Sequence, residues 1–167
     1  MSLPVDPSNQ LSIVGFGNPQ RRDDGIGPYI VGQLKSDLKA YGTIGFLSVR
    51  HPEPSIVEAL HGSDQILFID ATIRVLTCGW QLNRIQPDTD ALPFTTHHFT
   101  PMAILGMIKM IYGYCPPAWV LTVQGFDFGF GQGLTCRAKN RARSAISAII
   151  RRVGANLQTP LKSVQPF

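Results

Sequence analysis

The sequence predicts a three-layer α/β sandwich with a mostly parallel five-stranded sheet, because short apolar runs alternate with segments of helical periodicity. The runs at 65–69 and 117–124 are apolar almost throughout, which is typical of central strands covered on both faces. The run at 11–16 is followed by glycines and then by a helical pattern, as in a strand–loop–helix unit. Segment 79–85 alternates only weakly and predicts an edge strand, and the sequence leaves an antiparallel orientation of this strand open.

The other elements complete the order β α β α β β α β α. They are a helix over 25–40, a strand over 43–49, a short helix over 55–60, a buried helix that reaches 112, and a last helix with its apolar stripe over 138–153. We expect threonines to cap the buried helix, Thr135 to cap the last helix, and Gly154 to end it.

Length and composition indicate one domain over residues 1–167, with a core over 11–153 and flexible ends. A hydrophobic content of 44% is enough for a sizeable core. No run approaches the roughly 20 apolar residues that span a bilayer, and no signal peptide is recognisable, so we expect no membrane partner. Three widely spaced cysteines form neither a disulfide framework nor a zinc motif, which predicts a protein of the reducing cytoplasm.

The net charge of +4 is unevenly distributed along the chain. Residues 1–127 carry eight basic and eleven acidic side chains, whereas residues 128–167 carry seven basic side chains and no acidic one. A basic balance of this kind is compatible with nucleic acid binding. We favour a last helix with a solvated basic face, because no aromatic residues interleave these charges, and we expect no nucleic acid partner.

Three carboxylates stand beside the predicted strands. Asp23 and Asp24 directly precede the first helix, so either both cap it, or one caps it and the other is a ligand or catalytic group. Asp70 ends the buried run at 65–69, where an unpaired carboxylate is costly to desolvate. It either caps the turn through Thr72 or belongs to a site at the carboxyl edge of the sheet, and this segment alone favours neither.

Two adjacent histidines, His97 and His98, precede the buried helix, and at most one of them faces a given site. Asp24, Asp70 and His97 fall at similar places in the predicted topology and can share one rim of the sheet. Two carboxylates and an imidazole suit a divalent metal such as nickel or zinc with open coordination positions. They also suit acid–base chemistry, because histidine titrates near neutrality.

Four motifs occur in a fixed order along the chain. They are Gly15-x-Gly17-Asn18 with Asp23-Asp24-Gly25-x-Gly27, then Ile69-Asp70-Ala71, then Thr95-Thr96-His97, and last a segment over 125–135 that ends in a leucine and a threonine. With these motifs the sequence resembles the hydrogenase maturation proteases, which trim the C-terminus of the large subunit of nickel–iron hydrogenases. The resemblance extends over residues 11–153, and its first motif is the most specific.

The resemblance implies an α/β endopeptidase whose metal-contacting triad is Asp24, Asp70 and His97, with His98 as the alternative histidine. It implies that nickel already inserted in the hydrogenase large-subunit precursor is recognised by this triad, and that cleavage follows a His or Arg of the precursor's C-terminal cysteine motif. The metal then arrives with the substrate, and no permanently bound cofactor is expected. We assign Asp24 as the carboxylate that activates water.

Some features depart from the family or favour other classes. Family members often have a glycine-rich turn after the second strand, where this chain has Arg50-His51-Pro52-Glu53. The opening Gly-x-Gly-Asn-Pro also resembles peptidyl-tRNA hydrolase, but a catalytic histidine is missing after it, and two carboxylates would repel phosphate. A dinucleotide-binding module lacks its third glycine. A non-catalytic chaperone of hydrogenase assembly on the same scaffold remains an alternative.

Overall fold

The structure, a computed structural model, describes residues 10–39, 43–89 and 99–157. The ends of the chain predicted to be flexible fall mainly on residues 1–9 and 158–167, which lie outside the described part. Within that part, no helix is long and apolar enough to cross a membrane. The three cysteines, Cys78, Cys115 and Cys136, are all free.

Five strands form one sheet in the order β2-β1-β3-β5-β4. They are β1 (Leu11–Phe16), β2 (Ile44–Val49), β3 (Gln65–Thr72), β4 (Trp80–Ile85) and β5 (Ala118–Gln124). Strand β4 pairs antiparallel with β5 at one edge, and the other three pairings are parallel. The predicted fold class and the edge position of the weakly alternating strand are therefore confirmed.

Helices cover both faces of the sheet. They are α1 (Ile26–Asp37), α2 (Ile56–Leu60), α3 (Pro101–Tyr112) and α4 (Cys136–Leu157). Helices α1 and α4 pack on one face, where Leu67 and Ile69 of β3 point. Helices α2 and α3 pack on the other face with Ile66 and Phe68, so β3 is buried on both sides as its unbroken apolar run predicts.

The ends of the long helices follow from single residues. Thr100 caps α3 by accepting a hydrogen bond from the N–H of Ala103 at 3.2 Å, and Thr135 caps α4 in the same way from Ala138 at 3.2 Å. The predicted end of α4 at Gly154 is wrong, because the helix continues to Leu157. One glycine inside a helix costs only about 1 kcal/mol relative to alanine, which is too little to end a helix of this length.

Candidate functional site

The crevice between β1 and β3 lies where the chain reverses its direction of winding. From β1 the chain crosses to β2 on one side, and it later returns to β3 on the other side of β1. The connections that leave the carboxyl ends of two such strands run in opposite directions, and open α/β sheets bind their ligands in the crevice between them. Asp24 follows β1 and Asp70 lies near the end of β3, so both carboxylates belong to the same crevice.

Asp70 is the first residue of β3 beyond its pairing with β1, which ends at the pair Gly15 and Ile69. The prediction that Asp70 terminates the strand is wrong, because β3 continues alongside β5 through Thr72. The alternative that Asp70 caps the following turn is not supported either. The hydroxyl of Thr72 itself accepts the N–H of Arg74 at 3.2 Å, and among the described residues Asp70 accepts a hydrogen bond from the adjacent Ala71 alone.

Two glycines of the first motif let α1 begin directly against the sheet. A Cβ on Gly27 would lie 2.1 Å from the carbonyl oxygen of Phe16 and 2.9 Å from that of Ile69. A Cβ on Gly15 would lie 2.6 Å from the carbonyl carbon of Gly27. The start of α1 therefore touches the backbones of both β1 and β3, and this contact brings the turn that carries Asp24 to the crevice.

Asp23 and Asp24 lie in a single turn of 3-10 helix, Arg22–Gly25, and neither caps α1. The N-cap of α1 is Gly25, which offers no side chain, so the predicted capping role is wrong for both carboxylates. Gly25 leads directly from this turn into α1, and the carboxylates are directed to other partners.

Asp23 is completely buried and holds the loop between β5 and α4. Its carboxylate accepts hydrogen bonds from the N–H groups of Phe126, Asp127 and Thr135 at 2.8, 3.0 and 2.7 Å, and from the hydroxyl of Thr135 at 2.9 Å. Four donors satisfy a buried charge that would otherwise be costly. Asp23 is therefore a structural residue, a role that no local sequence pattern indicates because its partners lie more than 100 positions away.

Asp24 is half-buried, and it lies close enough to Asp70 for its charge to affect that carboxyl group. Its Oδ2 accepts the backbone N–H of Asn18 at 2.8 Å, which ties it to the loop after β1. Among the described residues, no hydrogen-bond donor reaches the other oxygen, Oδ1. Asp24 thus presents one fixed and one open oxygen.

Asp70 is also half-buried, and burial raises the pKa of its carboxyl group from 3.8 to about 6. The negative charge of Asp24 raises the pKa of Asp70 further, whereas the hydrogen bond from the N–H of Ala71 to Oδ1, at 2.8 Å, lowers it. In the described part of the chain, Oδ2 of Asp70 receives no hydrogen bond. A cation beside Asp24 and Asp70 would offset the cost of desolvating the ionised Asp70 and the repulsion between the two carboxylates.

The histidine of the predicted triad, His97, and its alternative, His98, lie outside the described residues. Helix α3 begins at Pro101, after its N-cap Thr100. Within the described residues, no three His, Cys, Asp or Glu side chains form a group that could hold a metal ion. The structure brings Asp24 and Asp70 together, and the third member of the triad stays a prediction.

A mostly apolar cavity of about 310 Å³ opens beside the 3-10 turn that carries Asp24. It is lined by Pro19, Arg22, Gly25, Pro28, Tyr29, Gly133 and Leu134. Arg22 forms an ion pair with Asp127, so the loops after β1 and β5 are joined at its rim. His51, in the segment that departs from the family pattern, is an exposed surface residue.

Comparison with solved structures finds the same architecture in several proteins. The NiFe hydrogenase maturation protease HycI from Thermococcus kodakarensis is 21% identical over 87% of this chain and 93% of its own, with a TM-score of 0.69. The hydrogenase maturating endopeptidase HybD from E. coli is 16% identical over the same shares, with a TM-score of 0.67. A hydrogenase 3 maturation protease is 21% identical over 93% of this chain and 100% of its own, with a TM-score of 0.59.

No family model and no curated protein sequence matches the chain. At the identities of the solved structures the likeness concerns the fold, and it extends over most of each chain compared. The chain therefore has the fold of the hydrogenase maturation proteases, as its sequence motifs predict.

Proposed function

We propose that this protein is an endopeptidase that removes the C-terminal extension of a nickel–iron hydrogenase large-subunit precursor after nickel insertion. The names of the solved structures that share its fold support a role in hydrogenase maturation. The observation that carries the proposal is the meeting of Asp24 and Asp70, each with an open carboxylate oxygen, at the crevice between β1 and β3. The free state of the three cysteines fits action in the reducing cytoplasm.

The substrate's nickel is the partner of this carboxylate pair. A divalent cation neutralises the repulsion between Asp24 and Asp70 and favours the ionised form of Asp70, whose pKa of about 6 otherwise keeps part of it protonated near neutrality. Carboxylate and imidazole ligands suit nickel. A precursor that carries nickel would supply this cation and one without nickel would not, which would link cleavage to nickel insertion.

His97 is proposed as the imidazole ligand, with His98 as the alternative. Support comes from the described residues that follow it. Helix α3 is joined by a short segment to β5 and crosses the sheet in the opposite direction, so its N-terminus at Thr100 is directed toward the carboxyl edge. Asp70 points to the face of the sheet that α3 covers. It lies two positions after Phe68, which packs on that face, and side chains two positions apart in a strand point the same way.

The chemical step is hydrolysis of one peptide bond of the precursor. Asp24 takes a proton from a water molecule while the oxygen of that water attacks the carbonyl carbon of the peptide bond. The proton then passes to the departing amine as the C–N bond breaks. The substrate's nickel polarises the carbonyl. The hydrogen bond from Asn18 to Oδ2 holds the Asp24 carboxylate in one orientation. Oδ2 keeps a second lone pair for the substrate's nickel, and the open Oδ1 accepts the proton.

The decisive experiment mixes the full-length protein with nickel-loaded large-subunit precursors of several hydrogenase classes and follows their masses. We expect a discrete loss of a C-terminal peptide from at least one precursor, and no loss when nickel is withheld. If every precursor stays intact, the endopeptidase proposal is wrong. Binding without cleavage would then favour an assembly chaperone, and turnover of peptidyl-tRNA would favour the hydrolase alternative.

Matched variants connect cleavage to the crevice. Asp24→Asn and Asp70→Asn each remove one charge while keeping the shape of the side chain, and we expect a loss of at least about 100-fold in cleavage rate. Asp37→Asn is the control, because Asp37 is an exposed carboxylate at the far end of α1. A crevice variant that cleaves as fast as the control would remove that carboxylate from the site.

A further inference from the structure

A second cavity, more polar than the first, lies on the α4 side of the sheet. It has a volume of about 280 Å³ and is lined by Phe126, Arg137, Asn140, Arg141 and Ser144. The four residues from α4 are spaced so that they share one face of the helix. The cavity therefore exposes two guanidinium groups, an amide and a hydroxyl to the same small space.

Both guanidinium groups are held by packing and not by acids. The Cζ of Arg137 lies 4.1 Å from the centre of the Phe126 ring, a cation–π contact. The side chain of Arg141 lies against Gly79, where an added Cβ would stand only 2.1 Å from its Cδ. Within the described residues, neither arginine forms an ion pair, and Asp127, the acid next to Phe126 in sequence, is paired with Arg22.

Two arginines that pack against neighbouring groups and have no acidic partner among the described residues offer a site for an anion. A guanidinium binds a carboxylate through two parallel hydrogen bonds, and little side-chain freedom is lost when the group is already held. The helix adds no competing acid, because no acidic residue follows Asp127 in the chain. The volume suits one or two acidic side chains.

The nearby aromatic rings argue against a nucleic acid as the occupant. Single-stranded nucleic acids bind such surfaces by stacking bases on open aromatic faces. Here Arg137 covers Phe126, the Cζ of Arg152 lies 5.7 Å from the ring centre of Trp80, and the indole N–H of Trp80 donates to Ser144 at 3.2 Å. The rings serve to position the helix and its charges.

The cavity is tied to the crevice through Phe126. The N–H of Phe126 donates to buried Asp23, which directly precedes Asp24 in the 3-10 turn. The next residue back, Gly125, donates its N–H to the carbonyl of Thr72 at 2.9 Å, two positions beyond Asp70. A partner held in the cavity is therefore held against the same framework that positions both carboxylates.

We propose that this cavity binds a carboxylate side chain from an acidic segment of a protein partner. That the partner is the substrate precursor rests on the proposed function; the binding of acidic peptide does not. The cavity would act as an anchor outside the reacting site and would add to the affinity and specificity for the substrate.

The test measures fluorescence anisotropy of a labelled peptide of alternating Glu and Gly with the full-length protein. The cavity variant combines Arg137→Gln with Arg141→Gln. The control combines Arg143→Gln with Arg151→Gln, which removes the same charge from positions of the same helix that do not line the cavity. We expect at least tenfold weaker binding for the cavity variant and a change within twofold for the control, with circular dichroism verifying that both are folded.

Three results would overturn the proposal. Equal losses in both double variants would show a general attraction to positive charge, and equal binding of a Gln–Gly peptide would show that carboxylates are not recognised. If an RNA strand binds more tightly than the Glu–Gly peptide, and only the cavity variant loses this binding, the occupant is a nucleic acid.

Cleavage of a nickel-loaded precursor separates this inference from the proposed function. We expect the cavity variant to raise KM at least fivefold and to leave kcat unchanged. Unchanged KM would remove the substrate as the partner and leave the protease intact. If the wild-type protein cuts no precursor, the proposed function fails, and the peptide measurement still decides whether the cavity binds acidic segments.

Discussion

Asp23 and Thr135, which are 112 positions apart in sequence, are joined by two hydrogen bonds: the N–H of Thr135 donates to Oδ1 at 2.7 Å and its hydroxyl to Oδ2 at 2.9 Å. The same hydroxyl accepts the N–H of Ala138 and so caps α4. One buried carboxylate thus fixes the turn after β1, the loop after β5 and the start of the last helix. The neighbouring Asp24 is then free to serve the crevice.

Asp23→Ala is therefore expected to destabilise the whole protein. It leaves three backbone N–H groups and one hydroxyl without their acceptor, at a cost of about 4 kcal/mol in the free energy of unfolding. Urea denaturation measures this cost. Asp24→Asn is the matched comparison, and it should change stability by less than about 1 kcal/mol because, within the described part of the chain, one hydrogen bond involves that carboxylate. Equal effects of the two substitutions would contradict the division of roles.

The order of elements and the edge strand could be predicted because both follow from local periodicity and apolar runs. The roles of the carboxylates could be predicted only in part. Sequence spacing placed both Asp23 and Asp24 at a helix start, but the partners of Asp23 come from the loop after β5, beyond any local pattern. The extension of β3 past Asp70 likewise depends on its pairing with β5.

The basic face of α4 shows the same limit. The sequence predicts its basic charges, and most of these side chains are exposed as predicted. Because no aromatic residues interleave these charges, the sequence predicts a solvated face without packing contacts to aromatic rings. The structure instead supplies Phe126 and Trp80 from other elements, in contact with Arg137 and near Arg152. Contacts between distant segments turn an apparently featureless charge run into a shaped cavity.

Two glycines of helix α1, Gly27 and Gly32, give a second prediction. Gly27→Ala places a methyl group 2.1 Å from the carbonyl oxygen of Phe16 and should cost at least about 2 kcal/mol, because backbone must move. Gly32→Ala places it in open space and should stabilise by about 1 kcal/mol through helix propensity. Thermal unfolding of the two variants tests this, and shifts of the same sign would show that α1 does not pack as described.

The choice between the two histidines gives a third prediction. His97→Ala is expected to abolish nickel-dependent cleavage of the precursor while leaving the unfolding transition unchanged, because the proposed role of the imidazole is to bind the substrate's nickel. His98→Ala is the matched control and should retain most of the activity. Mass spectrometry of the precursor distinguishes them. The reverse result would assign the ligand to His98, and normal cleavage by both variants would remove the histidine from the site.

The raised pKa of Asp70 makes a prediction about stability that needs no substrate. Its folded-state pKa of about 6 lies above the ordinary value of 3.8, so folding favours the protonated carboxyl. This contribution is complete below pH 3.8 and is lost as the pH rises through 6, which makes the ionised group destabilising at neutral pH. Asp70→Asn has no such charge to desolvate. After allowance for partial solvent screening, its stability relative to the wild type should increase by about 1–2 kcal/mol between pH 4.5 and 7.5.

Urea denaturation of both proteins at several pH values measures the difference, and Asp37→Asn provides the exposed control. A difference that stays constant across this range would show that Asp70 titrates normally. Combining Asp70→Asn with Asp24→Asn refines the result. Since burial is the larger cause of the raised pKa and Asp24 the smaller, most of the pH-dependent gain should come from Asp70→Asn alone. A variant that becomes more stable as it loses cleavage would show that the crevice keeps a costly carboxylate for its function.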